Sequence, residues 1–180
     1  MAALRKANAY TKRHTVPFTR VSKKRQKSYI KVVPPQKIVK FDMGNTSLYQ
    51  KGKFAHILTV MTTEKVQVRN NALEACRQFL NKQFERAFAG NYFFKVVPFP
   101  HHIQRENKML TGAGADRMST GMQLSFGRSI GKAALVKVDA PLFIFATNDA
   151  KGIQIARKEF QKIKAKLPCK TRSEYTFVKQ

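Results

Sequence analysis

Apolar residues recur along two stretches of the chain at the spacing of a helix face. Leu73, Cys76, Leu80, Phe84 and Ala87 follow one another at steps of three and four, which puts them on a single stripe. Asn70 or Asn71 is placed to cap the start of that helix and Gly90 to end it. Ile153, Ala156, Phe160, Ile163 and Leu167 repeat the pattern. Asn148 is the candidate cap there, Lys162, Lys164 and Lys166 crowd the last turns where the helix dipole favours cations, and Pro168 ends it. Between the stripes, shorter apolar runs predict strands over 37–41, 54–61, 92–97, 133–138, 142–146 and 175–178. The turn signal Asp42-Met43-Gly44-Asn45 closes the first, and 54–61 is apolar enough to be buried on both faces. Tyr92, Phe94 and Val96 share one face of the third, which Pro98 and Pro100 stop. Asp139-Ala140-Pro141 turns the fourth into the fifth. Two helices and about six strands in mixed order predict an α+β sandwich. Residues 100–131 carry no stripe but hold five of the nine glycines.

Charge changes this picture most at the N-terminus. The chain of 180 residues has 35 Lys and Arg against 10 Asp and Glu, a net +25. Twelve of the basic residues and no acid fall in residues 1–40, and Pro17, Pro34 and Pro35 break any helix there. Such a segment predicts a basic arm that orders along phosphates, with Arg5, Lys6, Lys12, Arg13, Arg20, Lys23, Lys24, Arg25 and Lys27 as contacts. The expected organisation is an arm over 1–35 and a single domain over 36–180, with an internal loop over 100–121. Leu, Ile, Val and Phe make about a quarter of the chain, enough for a core, so a wholly disordered basic tail is excluded. The partner that relieves +25 is a polyanion.

Other classes find little support. The two cysteines, Cys76 and Cys169, lie far apart in sequence and supply neither an all-thiolate zinc site nor a disulfide framework, so both are read as reduced. No run approaches a membrane span, and the basic N-terminus lacks the apolar region of a signal peptide, which predicts an intracellular protein. Residues 111–116, Thr-Gly-Ala-Gly-Ala-Asp, start like a dinucleotide-binding turn but lack the third glycine. Residues 127–132, Gly-Arg-Ser-Ile-Gly-Lys, are one residue short of a phosphate-binding loop, and Ala133 stands where Ser or Thr would hold magnesium. The adjacent His101 and His102 face opposite ways on a strand and cannot share a metal there. No carboxylate pair suggests acid–base work. The expectation is a non-enzyme with no cofactor and no metal.

The stretch Pro100-His101-His102-Ile103-Gln104-Arg105-Glu106-Asn107-Lys108-Met109-Leu110 is different. Its imidazole, guanidinium, amide and ammonium groups suit phosphates, 2′-hydroxyls and base edges. His101, His102, Arg105, Asn107, Lys108 and Arg117 are the candidate RNA- or tRNA-facing residues of this loop, with Arg128 and Lys132 on the body.

Those same residues resemble a known family. Pro100–Met109, Gly112-Ala113-Gly114-Ala115-Asp116-Arg117, Gly121-Met122 and Ser125-Phe126-Gly127 are similar to the archaeal branch of the universal large-subunit ribosomal protein family L-sixteen/L-ten-e. Phe41-Asp42-Met43-Gly44-Asn45, Asn71-Ala72-Leu73-Glu74-Ala75 and Lys166-Leu167-Pro168 match it in order, so the resemblance covers about residues 36–180. In the first 35 residues the family's cysteine-containing motif is absent, and Pro34-Pro35-Gln36-Lys37-Ile38 rejoins the pattern. The resemblance implies an α/β-hammerhead type of α+β fold. It implies a cytoplasmic, non-catalytic protein of the large subunit, beside the A-site tRNA channel, on 23S-type rRNA, near 5S rRNA and other ribosomal proteins. It also implies that the internal loop points toward tRNA. The competing readings are a free-standing RNA-binding or RNA-chaperone module and, from another class, a small nucleotide-dependent enzyme.

Overall fold

The structure is a computed structural model that describes residues 16–23, 28–106 and 127–178. Eight strands and three helices stand among the described residues: β1 (Asp42–Gly44), α1 (Thr46–Gln50), β2 (His56–Thr62), β3 (Val66–Arg69), α2 (Asn70–Phe88), β4 (Tyr92–Val96), β5 (His102–Glu106), β6 (Arg128–Val136), β7 (Pro141–Thr147), α3 (Ala150–Ile163) and β8 (Thr171–Phe177). A 3₁₀ turn over Lys164–Lys166 extends α3. The strands form two antiparallel sheets, one in the order β1-β4-β7-β2-β8, the other β3-β6-β5. The architecture is α+β, as the pattern of stripes and runs predicts.

Both helical stripes do what amphipathic stripes do, burying one face on the larger sheet. Leu73, Cys76, Leu80 and Phe84 of α2 and Ile153, Ala156, Phe160 and Ile163 of α3 enter one core with Leu58, Phe94 and Phe145. Phe84 is its hub, with ring centroids 4.4 Å from Phe145, 5.4 Å from Phe94 and 5.8 Å from Phe160. The opposite face of the same sheet has its own smaller cluster. There Phe54, Phe93 and Ala146 are covered by Leu48, Tyr49 and Ile57, and Tyr49 stacks on Phe93 at 3.9 Å. A sheet covered on both sides explains why β2 and β7 read as near-continuous apolar runs.

Several elements depart from the sequence reading, each for a local reason. Residues 37–41 are not a strand; β1 lies one step later, where Asp42, Met43 and Gly44 pair with Lys95, Phe94 and Phe93. The Asp42–Asn45 signal thus ends a strand and starts α1, whose Leu48 N–H donates to the Asn45 side chain at 3.1 Å. Ala87 is exposed, and Phe88 completes the α2 stripe. Neither helix has the predicted asparagine cap. Arg69 is the N-cap of α2, while Asn71 accepts from Ala72 N–H. Asp149 is the N-cap of α3, while the Asn148 side chain accepts from Ala55 N–H across the sheet. Ala89, with φ of 43°, ends α2 one residue before Gly90. The strand β3 is only four residues long and runs straight into α2, too short for its period to stand out.

Candidate nucleic-acid interface

The largest departure lies where the sequence reads as loop. Residues 102–106 form β5, paired with β6 in a register that sets His102 opposite Ala133 and Glu106 opposite Arg128. His-Ile-Gln-Arg-Glu alternates weakly, so strand pairing here comes from β6, which itself starts at Arg128, five residues before the predicted start. Residues 102–106 are therefore not part of a loop. Asn107, Lys108 and Arg117, the Gly-Ala-Gly stretch, and the arm residues Arg5, Lys6, Lys12, Arg13, Lys24, Arg25 and Lys27 lie outside the described residues.

The described part of the arm docks on β5. Ile103 N–H donates to Phe18 O at 2.9 Å, and Phe18 N–H donates to His102 Nδ1 at 3.0 Å. These bonds occupy the edge of β5 that β6 does not use, which blunts an otherwise open strand edge. Thr19 in turn bonds Ser28 and Ile30 through the backbone, a parallel bridge centred on Tyr29, and the Ser22 and Ser28 hydroxyls bond each other. Phe18 sits between two predicted site residues: its ring centroid is 5.4 Å from that of His102 and 4.7 Å from the Arg105 guanidinium carbon. Cation–π attraction of this kind holds a guanidinium over the ring face.

The two histidines part company. His102 is only 4% exposed, and burial pushes its imidazole down to about 4, with His101 and Arg105 adding repulsion. It is neutral at physiological pH, and its bond from Phe18 N–H leaves the proton on Nε2. It organises the interior and offers solvent no charge. His101 is exposed, with Nδ1 3.1 Å from Phe99 O. Arg105 is half-buried, and desolvation lowers its pKa; its Nε has no hydrogen-bond partner among the described residues. Arg20, Lys23 and Arg128 are exposed and Lys132 is half-buried.

Three cations converge at the root of the loop. Lys31, Arg105 and Arg128 line an open groove of about 620 Å³ with Tyr29, Ile30, Val32, Gly127 and Ser129, and no carboxylate is among these lining residues. Lys31 was not singled out by sequence; its signal was only membership of the acid-free segment. A second depression, about 720 Å³ between β1 and α2, includes Asp42 and Glu85 beside Lys40 and Arg77 and so lacks a single sign of charge. Arg77 there is held by Glu74 at 2.6 Å, and that hydrogen bond lowers the Glu74 pKa.

The enzyme-like stretches resolve differently. Residues 128–132 of the Gly-Arg-Ser-Ile-Gly-Lys motif lie within β6, not in a loop wrapped around a phosphate before a helix. Burial raises the Cys76 thiol to about 12 and the Cys169 thiol to about 11, and both are unbonded. Among the described residues no three His, Cys, Asp or Glu side chains converge as metal ligands, and no helix is long and apolar enough to cross a membrane.

Comparison with known proteins gives a consistent set of likenesses. A family model described as ribosomal protein L16p/L10e matches residues 17–174. The large ribosomal subunit protein uL16 of Thermofilum pendens is 41% identical over 170 residues, 94% of this chain and 95% of its own. The uL16 of Hyperthermus butylicus is 46% identical over 131 residues, 72% of this chain and 70% of its own. That of Sulfolobus acidocaldarius is 37% identical over 173 residues, 95% and 93% of the two chains.

Proposed function

The chain belongs to the ribosomal protein L16p/L10e family, and on that premise we propose that its basic arm and the groove at the loop root bind large-subunit rRNA. As a family member it is a structural constituent of the large ribosomal subunit, cytoplasmic with the ribosome, and not an enzyme. One observation carries the RNA-binding reading furthest. Phe18 ties the arm to β5, and this brings Lys31, Arg105 and Arg128 from three separate segments to one groove without an acid in its lining. Cations gathered this way neutralise successive phosphates and release their counterions. Arg20 and Lys23, exposed in the described part of the arm, add to its positive charge.

The finer placement rests on the family resemblance of residues 100–127. In this reading the protein sits beside the A-site tRNA channel and near 5S rRNA, with residues 107–121 directed at tRNA. Exposed Arg128 stands where the described chain resumes after the loop, and in this reading Asn107, Lys108 and Arg117 supply the loop's polar contacts.

Reconstituted large subunits test both levels. Lys31→Gln with Arg128→Gln should release the protein at lower salt, with the slope of log affinity on log salt reduced by about 0.9 for each lost phosphate contact. Unchanged salt resistance would remove the groove from the interface. Replacing residues 108–125 by a short glycine bridge spares β5 and β6. It should leave incorporation intact and slow peptide transfer; normal transfer would refute the tRNA placement. Loss of the wild-type chain from subunits in high salt would instead favour a free-standing RNA-binding module.

A further inference from the structure

We propose that the open edge of the five-stranded sheet carries a separate RNA contact: a stacking platform for an unpaired base, built from His56, Tyr175 and Phe177 and flanked by Arg157. It rests on the RNA-binding reading above and adds a second site and the kind of RNA element that fits it. Among the described residues β8 pairs only with β2, and every residue from Arg172 to Phe177 is exposed. Its register sets Tyr175 opposite Leu58 and Phe177 opposite His56. Alternation puts Ser173, Tyr175 and Phe177 on the face that α3 covers further along the sheet, and here that cover stops. Tyr175 is 43% and Phe177 53% exposed.

These rings are not scattered surface apolar residues. The His56 ring centroid lies 5.9 Å from Tyr175, stacked, and 5.2 Å from Phe177. The Tyr175 hydroxyl and His56 Nδ1 are 2.6 Å apart, which fixes two of the three rings relative to each other. Arg157 of α3 brings its guanidinium carbon within 5.9 Å of the Tyr175 ring centroid. The acids nearby are turned away or matched. Glu174 alternates to the other face of β8 and bonds Arg172 at 2.6 Å, and Glu159 is buried with Lys162 at 2.6 Å.

A preassembled aromatic surface beside an arginine, on a chain of net +25, matches a nucleotide better than a protein strand. A base stacks on the ring faces while its phosphate meets Arg157. The base must be unpaired and splayed out, because bases within a helix already stack on their neighbours. A protein strand would use the β8 backbone and leave the ring faces unspent.

The experiment compares binding of the full chain to a short oligouridylate and to an RNA duplex of matching length. Tyr175→Ala with Phe177→Ala should weaken oligouridylate binding about tenfold, with an unchanged salt slope, and leave duplex binding nearly untouched. Phe177→Tyr keeps its ring face and the Tyr175–His56 bond and should bind as the wild type does, whereas Phe177→Ala should not, which separates stacking from a folding defect. Arg157→Gln should lower the single-strand salt slope by about 0.7. Equal losses on both RNAs, or none on oligouridylate, would overturn the platform; the second result would leave the β8 edge to a protein strand. Failure of the wild-type chain to bind either RNA would defeat the RNA-binding reading itself.

Discussion

The backbone N–H of Phe18 donates to Nδ1 of His102 at 3.0 Å, joining positions 84 residues apart. With the Ile103 N–H bond to Phe18 O it roots the arm on β5, and it fixes the imidazole's tautomer. The adjacent Arg105 lies over the same Phe18 ring, so the cation that faces the groove is positioned by an aromatic residue from the arm.

The first prediction concerns pH. His102 titrates near 6.5 in the unfolded chain and near 4 in the folded one. Between those values the unfolded chain binds the proton that the folded chain refuses, so stability rises with pH in that window. The contribution is complete above 6.5, is lost as pH falls toward 4, and changes no further below. At pH 5 the loss should be up to about 2 kcal/mol. His102→Asn keeps an acceptor for Phe18 N–H without a titrating group. Urea unfolding at pH 7 and pH 5 should show a smaller difference in the variant than in the wild type; identical differences would contradict the buried neutral imidazole.

A second prediction concerns the anchor. Phe18→Ala removes the ring against His102 and Arg105 but keeps both backbone bonds possible. Amide exchange at Thr19, Ile30 and Ile103 should speed up at least tenfold, while global stability falls by only about 1–2 kcal/mol. Unchanged exchange at these three amides would mean that the docking does not depend on the ring.

Two glycines give the third prediction. Gly44 has φ of 79°, and a Cβ there would stand 2.2 Å from the Tyr92 carbonyl oxygen. Gly52 has φ of 67° with nothing within 4 Å of a Cβ. Gly52→Ala should cost about 1 kcal/mol for backbone strain alone. Gly44→Ala should cost clearly more, about 3 kcal/mol, because β1 must also leave its pairing with β4. Denaturant midpoints of the two variants check this; equal shifts would mean that β1 moves without penalty.

Much of the body was legible in the sequence because its elements carry their own period. The stripes of α2 and α3 each need only one buried face, so a step of three or four residues marks them before any partner is known. The motif-bearing residues 41–45, 71–75 and 100–127 likewise showed the family, since side-chain identity survives without coordinates. The strand β5 was not legible. His102, Gln104 and Glu106 alternate with Ile103 and Arg105, a pattern in which polar residues occupy both faces.

What the sequence determined alone was the α+β class, the two helix faces, the cationic excess and the family, because these depend on residue type and local spacing. Tertiary structure decided the rest. Only the fold could bury His102 fully and Arg105 by half, because both pack on Phe18 from a distant segment. Only the fold could gather Lys31, Arg105 and Arg128 at one groove, or set Tyr175 and Phe177 against His56 across a strand pair. These are contacts between residues remote in sequence, and strand register and chain packing fix them, not the local period.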